Sequence, residues 1–298
     1  MLRNLFAVPI LGFVIFSMPS TASAFVCSRV VDQNGDETGP SLSWFTRQIP
    51  FSIYESGTAD IAGNAEFTAL RASFRVWENA QEGSQTTDIS FVEQPLSTRP
   101  QVGYNFLDPS ANENLLIFYD DVWPHQGQGN NIIALTTTTH NALTGEIFDA
   151  DIEYNSATFT FSVSDLNPIT DLMNTTVHEI GHVLGLGHSL IGGATMFASA
   201  QPGDTSKRDL HDDDIQGVLF KYPAGEDLGY CVPTVACGFC APPNELTADA
   251  IVTVLRQDDG MSSGGCSGTN HLTGSSGLAL FLLFWRFAWR RFPTCRRR

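Results

Sequence analysis

Three histidines and one glutamate lie within a single short stretch of this chain, HEIGHVLGLGH, at residues 178–188. On an α-helix, residues four positions apart share a face, so His178 and His182 can direct their imidazoles at one point. Gly185 can adopt the left-handed conformation that ends a helix. The chain can then turn back and bring His188 to the same point. The stretch therefore predicts a helix that ends beside a three-histidine metal site.

Three imidazole ligands leave one position of a tetrahedral zinc ion open, which is typical of a catalytic zinc site. Glu179 follows the first histidine and can reach a zinc-activated water without binding the ion. Its carboxylate would take a proton from that water during attack on a peptide carbonyl, and would later give it to the leaving amine. We predict one catalytic Zn²⁺ and Glu179 as general base. The alternative is a buried helix whose histidines make ordinary hydrogen bonds.

The same stretch fits the pattern HExxHxxGxxH and so resembles the metzincin peptidases. The residues that follow it are similar to those of one metzincin family, the matrixins (peptidase M10 type). Met196 lies eight residues after His188, about where matrixins carry the methionine of a tight turn beneath the zinc, the Met-turn. Ala198 stands where astacins and serralysins carry a tyrosine. The similarity extends over roughly residues 40–223. It implies a zinc metalloendopeptidase that acts on protein or peptide substrates.

The rest of the chain has patterns of both strands and helices. Strands are predicted at 48–54, 89–92, 102–106, 115–119, 132–139 and 147–154, and helices at 61–80, 170–184 and 212–220. Strands that come first and helices that pack on one side indicate an α+β domain. The resemblance implies a metzincin or zincin-like catalytic domain, in which a twisted mixed sheet carries an active-site helix and flanking helices.

The resemblance also implies where a substrate would lie, which is along an edge strand above the cleft. The matching segment runs from Ile132 to Thr137 and includes Ile133, Ala134 and Leu135. A peptide that adds to such an edge gains main-chain hydrogen bonds.

One strand departs from the matrixin pattern. Matrixins bind a second, structural zinc through upstream histidines, but this strand has Asp149, Asp151 and Glu153 and no histidine, with only His125 and His140 nearby. Alternate residues of a strand point to one face, so the three carboxylates lie together. This arrangement predicts a Ca²⁺ site, with a solvated strand face as the alternative.

The first 24 residues have the features of a secretory signal peptide. Arg3 precedes an apolar run from Leu5 to Met18, and the small residues at 22–24 predict cleavage before Phe25. An uncleaved membrane helix is the alternative.

The chain has 32 acidic and 16 basic residues, and seven of the basic ones lie in the leader or the C-terminal cluster. Such an acidic body repels nucleic acid, which excludes that partner, and suits a secreted protein.

The catalytic domain is predicted over residues 25–223, beginning with a loosely held arm at 25–43. A Cys-rich segment follows at 224–244. Export favours disulfides, and four cysteines allow three pairings. The alternative is a CxxC metal or redox site. The cysteines in question are Cys27, Cys231, Cys237 and Cys240.

A helix and a Gly/Ser-rich linker are predicted at 245–275, and a hydrophobic, Arg-rich tail at 276–298. The tail, together with Cys266, resembles the sorting tails of myxobacterial surface proteins. This resemblance implies attachment to the membrane or cell surface.

The sequence therefore predicts a secreted or surface-attached zinc peptidase. The alternative is a surface protein that keeps the zinc and binds without turnover, against which the intact Glu179 argues.

Overall fold

The computed structural model describes residues 24–32, 35–125, 131–166, 168–225 and 252–261, the last range by its backbone alone. The main elements are β1 (Gln48–Ile53), α1 (Ala65–Glu78), β2 (Ser90–Glu93), β3 (Leu115–Phe118), β4 (Ile132–Asn141), β5 (Ile147–Tyr154), α2 (Leu172–Val183), β6 (Ser199–Ala200), α3 (Asp212–Lys221) and β7 (Val252–Met261). Short strand pairs join Val26–Cys27 to Leu186–Gly187, Gln81–Glu82 to Gln85–Thr86, and Phe161–Ser162 to Thr170–Asp171, and 3₁₀ turns lie at Pro109–Ala111 and Ser206–Arg208.

The main sheet contains seven strands in the order β6-β7-β4-β5-β3-β1-β2. β4 runs antiparallel to both of its neighbours, whereas the other pairs are parallel. The fold is therefore the predicted α+β class, and the residues that the structure describes form a mixed sheet and three α-helices.

The apolar stripe predicted on the first helix faces the core. Phe67, Leu70, Phe74 and Trp77 are all buried. The Trp77 indole donates a hydrogen bond of 2.7 Å to the Val177 carbonyl, which links α1 to α2. This contact satisfies the indole N–H inside the core and fixes the two helices against each other.

The N-terminal arm is more tightly held than predicted. Val26–Cys27 pairs with Leu186–Gly187, and the Ser28 N–H donates to the Gly185 carbonyl at 3.0 Å. Val30 and Leu42 are buried in the core. The polar composition of the arm concealed these few apolar anchors and the backbone partner that they meet.

One predicted strand does not form, and one strand forms where none was predicted. Residues 102–106 form no strand, because Gly103 adopts a left-handed conformation with φ of 89° that interrupts extended pairing. Residues 252–261 form β7, although we expected a helix and a linker over 245–275. The β-branched residues at the start of β7 favour a strand once an edge is available for pairing.

The strand predicted to be the open edge is also paired on both sides. β4 has β5 on one side and β7 on the other. The expected signal peptide, Cys-rich segment and C-terminal tail lie outside the described residues. Within the described part of the chain, no helix has both the length and the apolar character needed to cross a membrane.

Candidate active site

Helix α2 carries the first two histidines and is fixed at both ends. At its start, the Asp171 carboxylate accepts a hydrogen bond of 2.7 Å from the Asn174 N–H and so caps the helix. After its end, Gly185 has a φ of 75°, and a Cβ at this position would lie 2.3 Å from the Leu42 carbonyl oxygen. Only glycine satisfies both constraints, so the chain can reverse here and return His188 toward the helix.

The three predicted metal ligands come together as the spacing requires. The Nε2 atoms of His178 and His182 lie 3.0 Å apart, and those of His182 and His188 lie 3.2 Å apart. Four ligands at about 2.0–2.1 Å from a tetrahedral Zn²⁺ would be separated by roughly 3.3 Å, so the set fits this ion. The first two histidines are fully buried and the third is half-buried, which leaves access from one side.

Backbone carbonyls hold the far side of two imidazole rings. The Nδ1 of His178 lies 2.5 Å from the Thr195 carbonyl oxygen, and the Nδ1 of His182 lies 2.8 Å from that of Leu186. A carbonyl can only accept, so each Nδ1 carries the proton and each Nε2 presents a lone pair. Lone pairs that face one another at 3 Å repel unless a cation lies between them. The donor set is therefore chemically that of a metal site.

Glu179 is fully buried beside the triad, and a threonine from the sheet contacts it. The Thr136 hydroxyl on β4 donates to a Glu179 carboxylate oxygen at 2.5 Å. This contact connects the sheet to the acidic group at the site. Sequence reasoning missed Thr136, because it is one of four consecutive threonines and nothing local distinguishes it from the others.

Met196 lies directly beneath the helix that carries the histidines. A Cβ at Gly181 would lie 2.1 Å from the Met196 sulfur, so the methionine packs against bare backbone. Asp214 on α3 accepts hydrogen bonds from the N–H groups of Thr195 and Met196, at 2.7 and 2.9 Å. The turn at Met196 is thereby tied both to α2 and to α3.

Lys207 is a second buried residue that sequence reasoning did not identify. Its ammonium group donates to the Phe197 carbonyl at 2.5 Å and lies 3.3 Å from the Nδ1 of His178. Because that nitrogen already donates to Thr195, the lysine contributes a nearby positive charge and no hydrogen bond to the ring. Lys207 thereby links the segment after Met196 to the surroundings of His178.

The calcium site predicted on the acidic strand β5 stays a prediction. Asp149, Asp151 and Glu153 are buried on one face, but the His triad is the only group of three metal-binding side chains that converges within the described residues. The Asp151 carboxylate accepts the N–H groups of Gly103 and Leu115, at 2.6 and 2.9 Å.

Neither upstream histidine belongs to a second metal cluster in this part of the chain. The His125 Nε2 lies 2.9 Å from a Glu153 carboxylate oxygen, and His140 is fully buried on β4. The expected absence of a second, structural zinc stays a prediction.

The buried carboxylates predict how stability depends on pH. Burial raises the pKa of Asp149 to about 7 and raises that of Asp151, which is also close to the charge of Asp149. A raised carboxyl pKa means that the folded state holds the proton more tightly than the unfolded state. The resulting stability is present below about pH 4 and is lost as the pH rises through 7.

We therefore expect Asp149→Asn to flatten the decline in unfolding free energy between pH 5 and 8, by about 2 kcal/mol relative to the unsubstituted chain. Urea unfolding at the two pH values measures this change. Asp108→Asn, at an exposed position, is the matched control. An equal pH dependence in the Asp149→Asn chain and the unsubstituted chain would contradict the assignment.

The predicted substrate residues Ile133, Ala134 and Leu135 lie on β4 and are buried. Their strand passes the site, because the next residue, Thr136, contacts Glu179. Cys27 is buried on the arm, and the other cysteines of the predicted disulfides lie outside the described residues. The predicted pairings therefore stay predictions.

Comparison with known proteins agrees with this geometry. The matrixin family model (peptidase M10) matches residues 43–222. Human matrix metalloproteinase-15 is 31% identical over 189 residues, which is 61% of this chain and 26% of that protein. Human matrix metalloproteinase-25 is 33% identical over 196 residues, 65% of this chain and 31% of that protein. Metalloendoproteinase 1 of Glycine max is 46% identical over 75 residues, 25% of this chain and 24% of that protein. These three matches span less than a third of each relative. The range that the family model matches contains the histidine triad and Met196, and the chain belongs to the matrixin family.

Proposed function

We propose that this protein is a zinc-dependent endopeptidase that hydrolyses peptide bonds in protein or peptide substrates. The observation that carries the proposal is the convergence of three imidazole Nε2 atoms beside the buried carboxylate of Glu179. Membership of the matrixin family supports the same reaction, and its relatives are named metalloproteinases and metalloendoproteinases.

Each residue of the site has a distinct role in this proposal. His178, His182 and His188 hold Zn²⁺, which when bound lowers the pKa of water toward 7 and polarises a carbonyl group. Glu179 takes a proton from the attacking water and passes it to the leaving amine. Thr136 positions the carboxylate by its hydrogen bond. The backbone carbonyls of Thr195 and Leu186 keep two rings in the tautomer that binds metal.

We also propose that the protein acts outside the cell. The signal-like residues 1–24 support export, and the Arg-rich tail at 276–298 supports attachment to a membrane or cell surface. In an exported protein, Cys27 would form a disulfide with a cysteine of the 224–244 segment. Proteins of the extracellular matrix are one substrate class consistent with the names of the human relatives.

Metal content and activity together test the proposal. We expect one zinc per purified chain, cleavage of casein that a chelator abolishes, and recovery on addition of zinc. His188→Ala should lose the zinc while keeping the fold, as followed by circular dichroism. A chain that binds zinc but cleaves nothing would instead fit the silent binding protein, and two zincs per chain would contradict the single-site assignment.

Thr136→Val removes the hydroxyl but keeps the shape of the side chain. We expect kcat/KM for a peptide substrate to fall by about tenfold, because a buried hydrogen bond to a charged group contributes about 1.5–3 kcal/mol. The acid limb of the pH–rate profile should move to higher pH, since the carboxylate loses a donor. Thr136→Ser should restore both quantities. A loss of activity with an unchanged pH profile would show that Thr136 has only a structural role.

A further inference from the structure

The side of β4 that faces away from β5 is occupied by a segment from the C-terminal part of the same chain. β7 runs antiparallel along it from the Val252–Asn141 pair to the Gly260–Ile132 pair, with one irregularity between Asp258 and Gly260. The pairing covers nearly the whole length of β4. The main-chain groups on that side of β4 are therefore already used in a ladder.

The middle of β7 is level with the candidate active site. Gln257 pairs with Thr136, the residue whose hydroxyl contacts Glu179. On its other side, β7 pairs in parallel with β6, where Ser199 meets Gly260. β6 begins three residues after Met196, beneath the histidines. β7 thus lies between β4, which passes the candidate site, and β6, which follows the turn at Met196.

An extended peptide that binds by adding a strand needs free N–H and C=O groups on an exposed edge. β7 is itself extended, and it pairs with the main-chain N–H and C=O groups of β4 that such a peptide would use. It does so level with the candidate site. The segment belongs to the same chain as β4, so its pairing with β4 is intramolecular. A free peptide substrate would have to compete with it.

We propose that residues 252–261 are an intramolecular competitor. They occupy the edge of β4 to which a peptide substrate would bind, and a substrate must displace them. This inference rests on the proposed peptidase function. The occupant is a segment of this chain, and the ligand class that displaces it is an extended polypeptide.

A pair of prolines within β7 tests the proposal in the full-length chain. Consecutive N–H groups of a strand point to opposite sides, so one of the N–H groups of Leu255 and Arg256 faces β4. Replacing both residues by proline therefore removes that donor in either case. Ser262→Pro with Ser263→Pro, just beyond the strand, is the matched control. Hydrogen exchange in residues 65–78 and 172–183 shows whether the domain stays folded.

We expect faster hydrogen exchange in residues 132–141 of the Leu255→Pro/Arg256→Pro chain than in the unsubstituted chain. We also expect kcat/KM for a short peptide to rise about tenfold or more, mainly through KM, since the competitor is part of the same chain and binds intramolecularly. The synthetic peptide VTVLRQDDGM should inhibit this variant competitively. The control pair should behave as the unsubstituted chain.

Equal exchange in residues 132–141 of the two chains would overturn the proposal, because the strand would not be docked in solution. Faster exchange with unchanged kcat/KM would also overturn it and leave the peptidase function standing, provided that Glu179→Gln is far less active. If no form of the chain exceeds the activity of Glu179→Gln, the proposed function fails and the competitor role fails with it.

Discussion

Replacing Glu179 by glutamine should lower kcat for peptide hydrolysis by about 10³-fold. General acid–base catalysis by a positioned side chain contributes about 10²–10⁴ in rate, and a glutamine amide cannot accept the proton. The side chain keeps its size in a fully buried position and can still accept the Thr136 hydrogen bond. The imidazole ligands are unchanged, so zinc binding should persist.

Steady-state kinetics with a fluorogenic peptide, together with metal analysis of the same samples, measure both expectations. Glu55→Gln, at an exposed position, is the control for the loss of one negative charge. If Glu179→Gln retained kcat within threefold of the unsubstituted chain, another group would have to be the base. Loss of zinc along with activity would show that the substitution damaged the site and not the proton transfer alone.

The substitution with the largest expected effect on stability is Gly181→Ala. Its new methyl group would lie 2.1 Å from the Met196 sulfur and 2.9 Å from a ring carbon of Trp77. Both neighbours are buried, so they can move only by disturbing the core. Forcing extra carbon into a packed core costs about 1–3 kcal/mol. We expect a loss near 3 kcal/mol, since the contact lies far inside van der Waals distance.

Gly192→Ala is the matched control for this substitution, because a Cβ there meets nothing within 4 Å. Urea unfolding measures both changes, and the control should fall within about 0.5 kcal/mol of the unsubstituted chain. Shortening the methionine tests the cause. Gly181→Ala combined with Met196→Ala should be less destabilised than the sum of the single changes by about 1 kcal/mol or more. Strict additivity would show that the methyl group clashes elsewhere.

The convergence of the three histidines could be predicted because their geometry is local. His178 and His182 are related by one helical turn, and Gly185 marks where the chain reverses, so spacing alone brings three imidazoles together. Met196 became predictable only through resemblance to a family. By itself it is an apolar residue in a loop, and its contact with Gly181 depends on how the turn packs beneath α2.

The features that sequence reasoning missed depend on contacts between distant parts of the chain. Thr136 meets Glu179 across 43 positions, and its neighbours in the threonine run have the same chemistry. β7 pairs with a strand more than a hundred residues earlier, and its composition fits a linker as well as a strand. The shared face of the β5 carboxylates followed from strand alternation, but alternation does not reveal what covers that face.

The carbonyl groups of Thr195 and Leu186 have a consequence for the order in which this protein matures. They orient the His178 and His182 rings from the protein side, through contacts that need no ion. In small zinc domains, by contrast, metal binding and folding are one event. Here, backbone carbonyls also hold two of the three candidate ligand rings. We therefore expect metal uptake to follow folding as a separate step, so that a chelator removes the zinc of the proposed site and added zinc restores it without unfolding of the domain.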